Sequence, residues 1–237
     1  MVNIPSTEEL LEAVVYFGHR VSKRHPKMAP YLWTIRNGIY WINLEKTKEC
    51  LKKAVEFVQD IASKGGTILF VGTKPPAQEI IKKYAEEVKM PYVIERWIGG
   101  TLTNFSVISN LIEKLKKMEE DKEKGEWEKY PKKEKIDLER ELKRLTLLVG
   151  GMKNLEKIPE ALYIVDLREE KTALREARKA KIKIIGLVDV NADPTLVDYP
   201  IPGNDDARKS IEIITKTITE AIKEGQNKQK TYEEEKN

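Results

Sequence analysis

The sequence predicts an α/β protein, a parallel sheet covered by helices on both faces and interrupted by an inserted antiparallel helical hairpin. Two observations carry this. Short, almost wholly apolar runs at 67–71, 161–165 and 182–188 alternate with stretches of helical spacing, the pattern of strands buried on both faces. Between 104 and 149 the alternation stops, and apolar residues step by three and four along two narrow seams. A third observation bears on function. The 32 residues from Ala13 to Leu44 hold no acid, although the whole chain balances 43 basic residues against 39 acidic ones.

In order, Ser6 is placed as an N-cap with Glu9 as its capping-box partner, and Leu10, Leu11, Val14 and Val15 follow on a short helix ending near Gly18. His25-Pro26 and Ala29-Pro30 keep the next segment extended, because a residue before proline avoids the helical region. Residues 31–35 and 39–42 are β-rich on either side of Arg36-Asn37-Gly38, a hairpin signal. Residues 45–64 predict a helix closed by Gly65-Gly66, and 67–71 a buried strand. A helix from Pro75 or Pro76 to Lys89 and a short strand at 92–94 come next.

Within the insertion the first seam is Ile108, Leu111, Leu115 and Met118, and the second is Leu138, Leu142, Leu145 and Val149. Arms of about 20 residues would reach roughly 30 Å. Trp127 and Tyr130 at the tip are either partner contacts or a local staple. After the hairpin come a strand at 161–165, a helix at 171–181, a strand at 182–188, a short strand at 197–201 and a helix at 205–223. The predicted organisation is therefore a sheet domain of 1–103 and 150–224 with a basic N-terminal extension, a coiled-coil hairpin at 104–149, and a polar, disordered tail at 225–237.

Several classes of function lose support. Cys50 is the single cysteine, so neither a disulfide framework nor a Cys-pair zinc ribbon is encoded. No apolar run is long enough to span a bilayer and the start lacks signal-peptide order, so the cytoplasm is the expected location. No Ser-His-Asp, Cys-His or His-Glu-x-x-His set exists. Residues 70–74 end a strand before a helix but lack the phosphate-loop glycine frame, so no cofactor is expected.

The acid-free segment has the composition that RNA selects. It offers Arg20, Lys23, Arg24, Lys27 and Arg36, with His19, His25 and six aromatics. Cations neutralise phosphates, while rings and guanidinium planes stack on bases. An exposed basic loop with rings feeding the core is the plain alternative. Asp166 and Asp189 each close a strand at the carboxyl edge of the sheet. With Lys74 they form a runner-up, a metal-assisted phosphotransferase, against the ordinary reading of strand-end turn caps. Asn204 or Asp205 is suited to cap the last helix, and Thr103 to cap the first arm of the hairpin. If a divalent ion is bound, the candidates are His19 with Asp189 or with the Asp205-Asp206 pair, although nothing local fixes them together.

Longer words then align with a family. Phe17-Gly18-His19-Arg20, His25-Pro26-Lys27-Met28 and Ile42-Asn43-Leu44-Glu45-Lys46-Thr47 come first, followed by Phe70-Val71-Gly72-Thr73-Lys74 and the run from Arg96 through Gly99-Gly100 to Asn104. Val149-Gly150-Gly151-Met152, Val188-Asp189-Val190-Asn191-Ala192-Asp193-Pro194 and Pro200-Ile201-Pro202-Gly203-Asn204-Asp205-Asp206 complete the order. This set resembles the bacterial-type ribosomal protein two of the small subunit. The resemblance implies a three-layer, flavodoxin-like sheet domain with a coiled-coil hairpin and no catalysis. It also implies a cytoplasmic ribosomal place bridging head and body near the messenger exit. Small-subunit rRNA and neighbouring ribosomal proteins would be the partners, including the large messenger-binding protein one; no membrane and no small-molecule substrate are implied. Carried onto this sequence, the rRNA contacts are Arg20, Lys23, Arg24, His25, Lys27, Arg36, Lys74, Arg96, Thr103 and Asn104. Pro75-Pro76 depart from the family's usual basic residue after Gly-Thr-Lys, and Leu167-Arg168-Glu169-Glu170 departs from its commonest form.

Overall fold

Ser6 caps the first helix, Thr7–Glu12 (α1), and the capping box with Glu9 is closed in both directions. The computed structural model, which describes residues 2–234, continues with Phe17–Arg20 (β1), Leu32–Arg36 (β2), Ile39–Ile42 (β3) and Leu44–Ser63 (α2). Then come Ile68–Val71 (β4), Pro75–Glu87 (α3), Tyr92–Val93 (β5), Phe105–Glu123 (α4) and Lys132–Val149 (α5). Ala161–Val165 (β6), Lys171–Lys179 (α6), Lys183–Val188 (β7), Tyr199–Pro202 (β8) and Arg208–Glu234 (α7) complete the described chain.

Strands β4 to β8 form one parallel sheet in the order β5-β4-β6-β7-β8. Renumbered along the chain this is 2-1-3-4-5, the flavodoxin-like order, with its switch point between β4 and β6. Successive side chains leave a strand on opposite faces, so Phe70 and Tyr163 join one core with α2, α3 and α7, while Leu69, Leu162 and Ile164 join another with α6. The architecture is three-layered. All five residues of β6 are buried, which explains the unbroken apolar run.

Asn37 and Gly38 both take positive φ, 49° and 72°, as a two-residue hairpin of that composition requires, and Arg36 faces Ile39 across β2 and β3. The segment at 17–20, expected as the end of a helix and the start of a loop, is instead a strand. It pairs antiparallel with β3 through Phe17 and Trp41, making a three-stranded sheet in the order β1-β3-β2. Gly18 and His19 have little strand preference of their own; the free edge of β3 supplies the partner.

Helices α4 and α5 pack against each other and are joined by a 3-10 turn, Glu126–Lys129. Ile108, Ile112, Leu115 and Met118 are buried on α4, so the inner face takes Ile112 where Leu111 was expected. Trp127 is buried at the tip with Lys122 Nζ 5.6 Å from its ring centre, a local staple, while Tyr130 is exposed. Tight packing also explains the course of α7, which stays helical past the point where a disordered tail was expected. A side chain at Gly225 would meet Ala62 Cβ at 2.6 Å, so glycine lets α7 lie against α2, and Gln226 donates to the Val88 carbonyl. The tail positions 235–237 lie outside the described residues.

Candidate nucleic-acid interface

The carboxyl edge of the parallel sheet gathers side chains from four strand ends. Lys74 follows β4, Asp166 follows β6, Asp189 follows β7, and Asp205 and Asp206 follow β8. Lys74 Nζ reaches Asp166 Oδ2 at 2.9 Å, Asp205 Oδ1 at 2.9 Å and Asp206 Oδ1 at 2.5 Å. An ammonium has three donors, and all three are engaged on carboxylates. Lys74 was expected to reach phosphate; here it is an internal counter-ion. Its burial opposes the charge, but the Asp205 charge and the hydrogen bonds that Lys74 donates to Asp206, Asp166 and Asp205 outweigh it and raise its pKa. Asp205 is held well above the usual carboxylate range, by burial first and then by the charges of Asp189 and Asp166. Asp166, at φ 66°, also accepts from the backbone N–H of Arg168 and Glu169, which is the turn-capping role expected of a strand-end aspartate.

His19 enters this edge from β1. A side chain on Gly18 would meet Val190 Cγ2 at 2.3 Å, so glycine is what lets β1 cross the end of β7. His19 Nδ1 then lies 3.0 Å from Asp189 Oδ2, and its Nε2 lies 3.0 Å from Asn191 Nδ2 and 3.6 Å from Asp206 Oδ2. The hydrogen bond His19 makes to the Asp189 carboxylate raises its pKa against its partial burial. His19, Asp189 and Asp206 offer ligand atoms all within 4.8 Å of one another, so the second carboxylate of the group is Asp206 and not Asp205. Nearby, Asp205 Oδ2 and Asn191 Oδ1 are buried with no hydrogen-bond partner among the described residues.

The basic segment is folded onto this edge. The His25 N–H donates to the Val190 carbonyl at 2.8 Å, and Lys27 Nζ donates to Asp193 Oδ2 and Thr195 Oγ1, each at 2.8 Å. Arg20, Lys23, Arg24 and Arg36 are exposed. Arg24 lies over the Tyr40 ring and Arg36 over the Trp41 ring, the latter at 4.7 Å. The plain alternative, rings feeding the core, holds only in part: Trp33 is 66% exposed, with Phe17 and Ile35 also exposed. Trp33 sits 6.3 Å from Trp41, so an apolar patch stands beside the cations.

The loop from Arg96 to Asn104 is held by a residue that nothing in the sequence signalled. Glu176, buried on α6, accepts from Gly100 N at 2.7 Å, Leu102 N at 3.0 Å and Trp97 Nε1 at 3.3 Å. Thr103 Oγ1 reaches the same carboxylate at 3.5 Å and does not cap α4, whose N-cap position is Asn104 without a side-chain cap bond. Arg96 and Asn104 are left exposed. Neither Asn204 nor Asp205 is the N-cap of α7, which begins at Arg208; Asn204 accepts from the N–H of Asp206 and Ala207 and closes the turn just ahead of the helix.

The phosphotransferase alternative needs a lysine able to reach a phosphate, and the three carboxylates on Lys74 deny it one. Among the described residues no helix is long and apolar enough to cross a membrane. The model of one family, described as Ribosomal protein S2, matches residues 10–225. That family is one of structural ribosomal proteins and not of enzymes. The chain belongs to the ribosomal protein S2 family, structural proteins of the small ribosomal subunit.

Proposed function

We propose that this protein binds small-subunit rRNA through the exposed cations Arg20, Lys23, Arg24 and Arg36, with Arg96 and Asn104 as a second contact. The observation that carries this is an acid-free segment folded as a sheet, its cations outward and its base fixed to the parallel sheet. Such a surface neutralises phosphates without needing to order itself on binding. His25 and Lys27 stand at its inner border, where Lys27 is shared with Asp193. In this reading α4 and α5 act as a rigid coiled-coil arm, and the protein bridges head and body near the messenger exit. The exposed Phe17, Trp33 and Ile35 suit a neighbouring protein better than a phosphate backbone, which favours this patch for helping to retain the large messenger-binding protein one. In filter binding of small-subunit rRNA over a salt series, replacing Arg20, Lys23 and Arg24 with alanine lowers the salt slope by about 0.7–0.9 per lost phosphate contact. An unchanged slope overturns the assignment.

A second reading concerns the carboxyl edge. Four carboxylates there face one lysine and one histidine, and two buried polar atoms lack partners. We infer that His19, Asp189 and Asp206 take a divalent cation, and the nitrogen-and-oxygen donor set suits zinc. Metal analysis of dialysed wild type and His19→Ala tests it: one equivalent in the first and loss in the second is expected, and a metal-free wild type after zinc loading contradicts it.

A further inference from the structure

Helix α6 carries a cationic face outside every contact named so far. Arg168, Lys171, Arg175 and Arg178 recur at steps of three, four and three, and all four are exposed along one side of a groove of about 340 Å³. Among the described residues none of the four side chains is paired with a carboxylate. Two of the three acids of this stretch are directed elsewhere: Glu176 holds the loop at 97–103, and Glu170 is buried, accepting from the Thr73 N–H at 2.7 Å, which leaves Glu169 as the one exposed acid between Arg168 and Arg178. What remains outward is almost purely basic.

Helix stability does not account for it. Lys171 opens α6 and Arg168 lies in the turn just ahead of it, the end at which the helix dipole disfavours cations. The opposite wall of the groove is the loop from Asn191 to Leu196, to which Lys27 is tied. Asp193, the acid in that wall, is already neutralised by Lys27 and bonded by Thr195. The groove therefore adjoins the N-terminal segment at the Lys27–Asp193 pair.

We propose that the α6 face is a second rRNA-backbone contact, adjoining the N-terminal one across the Asn191 to Leu196 loop; this rests on the rRNA-binding reading above. Its helical part from Lys171 to Arg178, about 10 Å at helical rise, has room for more than one backbone phosphate. Three of the four cations are arginines, whose planar forks grip phosphate in bidentate fashion. An acidic protein segment is the competing occupant. Adjacency to the N-terminal segment favours RNA.

The test uses the full-length protein and in-vitro transcribed small-subunit rRNA in filter binding at graded potassium chloride. The variant Arg168→Ala/Arg175→Ala/Arg178→Ala is expected to lose about two units of salt slope and at least tenfold in affinity at low salt. Lys52→Ala/Lys53→Ala/Lys82→Ala removes the same charge elsewhere and is expected to stay within twofold of wild type. Lysine at the same three α6 positions is expected to keep most of the slope, which separates lost charge from lost folding. A wild-type slope in the α6 alanine variant, with the Arg20/Lys23/Arg24 variant still reduced, overturns the α6 contact and leaves the N-terminal one standing. A wild type without salt-dependent binding overturns both. Loss of poly-glutamate binding in the α6 variant with an unchanged rRNA slope overturns RNA as the occupant in favour of an acidic protein.

Discussion

His19 Nδ1 and Asp189 Oδ2, 170 positions apart in sequence, meet at 3.0 Å and tie the basic N-terminal sheet to the carboxyl edge of the parallel sheet. Gly18 makes the approach possible. Gly18→Ala places a methyl group 2.3 Å from Val190 Cγ2 and 3.0 Å from the Tyr40 carbonyl, and backbone on the latter side cannot give way easily. Urea unfolding is expected to show a loss of about 1–3 kcal/mol, the range for overpacking. Unchanged stability would mean that β1 does not press on β7.

Glu176 serves the Arg96 to Asn104 loop through a single carboxylate. Glu176→Ala leaves the N–H groups of Gly100 and Leu102 and the Trp97 indole without their acceptor. Each such buried group costs about 1–3 kcal/mol. Hydrogen exchange is expected to quicken at Gly100 and Leu102 while the amides of β6 keep their protection. Equal exchange at the two loop amides in variant and wild type would remove Glu176 from this role.

Asp193 has a carboxyl pKa lowered to about 2: slight burial pushes it up, and bonds from Lys27 and Thr195 outweigh that. Because the folded pKa lies below the unfolded one, near 3.9, the stabilising contribution is complete above that value and fades as pH falls through about 2. A carbon-detected NMR titration is expected to find the midpoint near 2 in wild type and higher in Lys27→Ala. A wild-type midpoint near the ordinary value would contradict the Lys27 to Asp193 tie.

Leu115 and Leu145 are each fully buried, one on α4 and one on α5. Either one changed to alanine is expected to cost about 2–5 kcal/mol in thermal or urea unfolding. A cost below 0.5 kcal/mol would mean the two helices do not share a packed core.

The hairpin at Asn37-Gly38 and the parallel strands were legible because a local rule decides each: positive φ at the turn, and apolar runs for strands buried on both faces. Strand β1 was not legible, since Gly18-His19 takes its conformation from β3 and its position from Val190, which is distant in sequence. The exposure of Trp33 was not legible, because composition does not say which side of a two-stranded ribbon is covered. Glu176 read as one more charge on a helix rich in charges; only the fold brings the loop at 97–103 onto it. The candidate cation group had the same difficulty. His19, Asp189 and Asp206 come from three separate elements, and past the turn made by Asn204 it is Asp206 that reaches His19 as well as Lys74, while Asp205 reaches Lys74.

The most direct measurement is sucrose-gradient sedimentation of native lysate with an antibody to this protein, in low salt and again after a high-salt wash. The account predicts co-migration with the small subunit at low salt, and earlier release by salt in Arg20→Ala/Lys23→Ala/Arg24→Ala than in wild type. Absence of the wild-type protein from small-subunit fractions at low salt would contradict it.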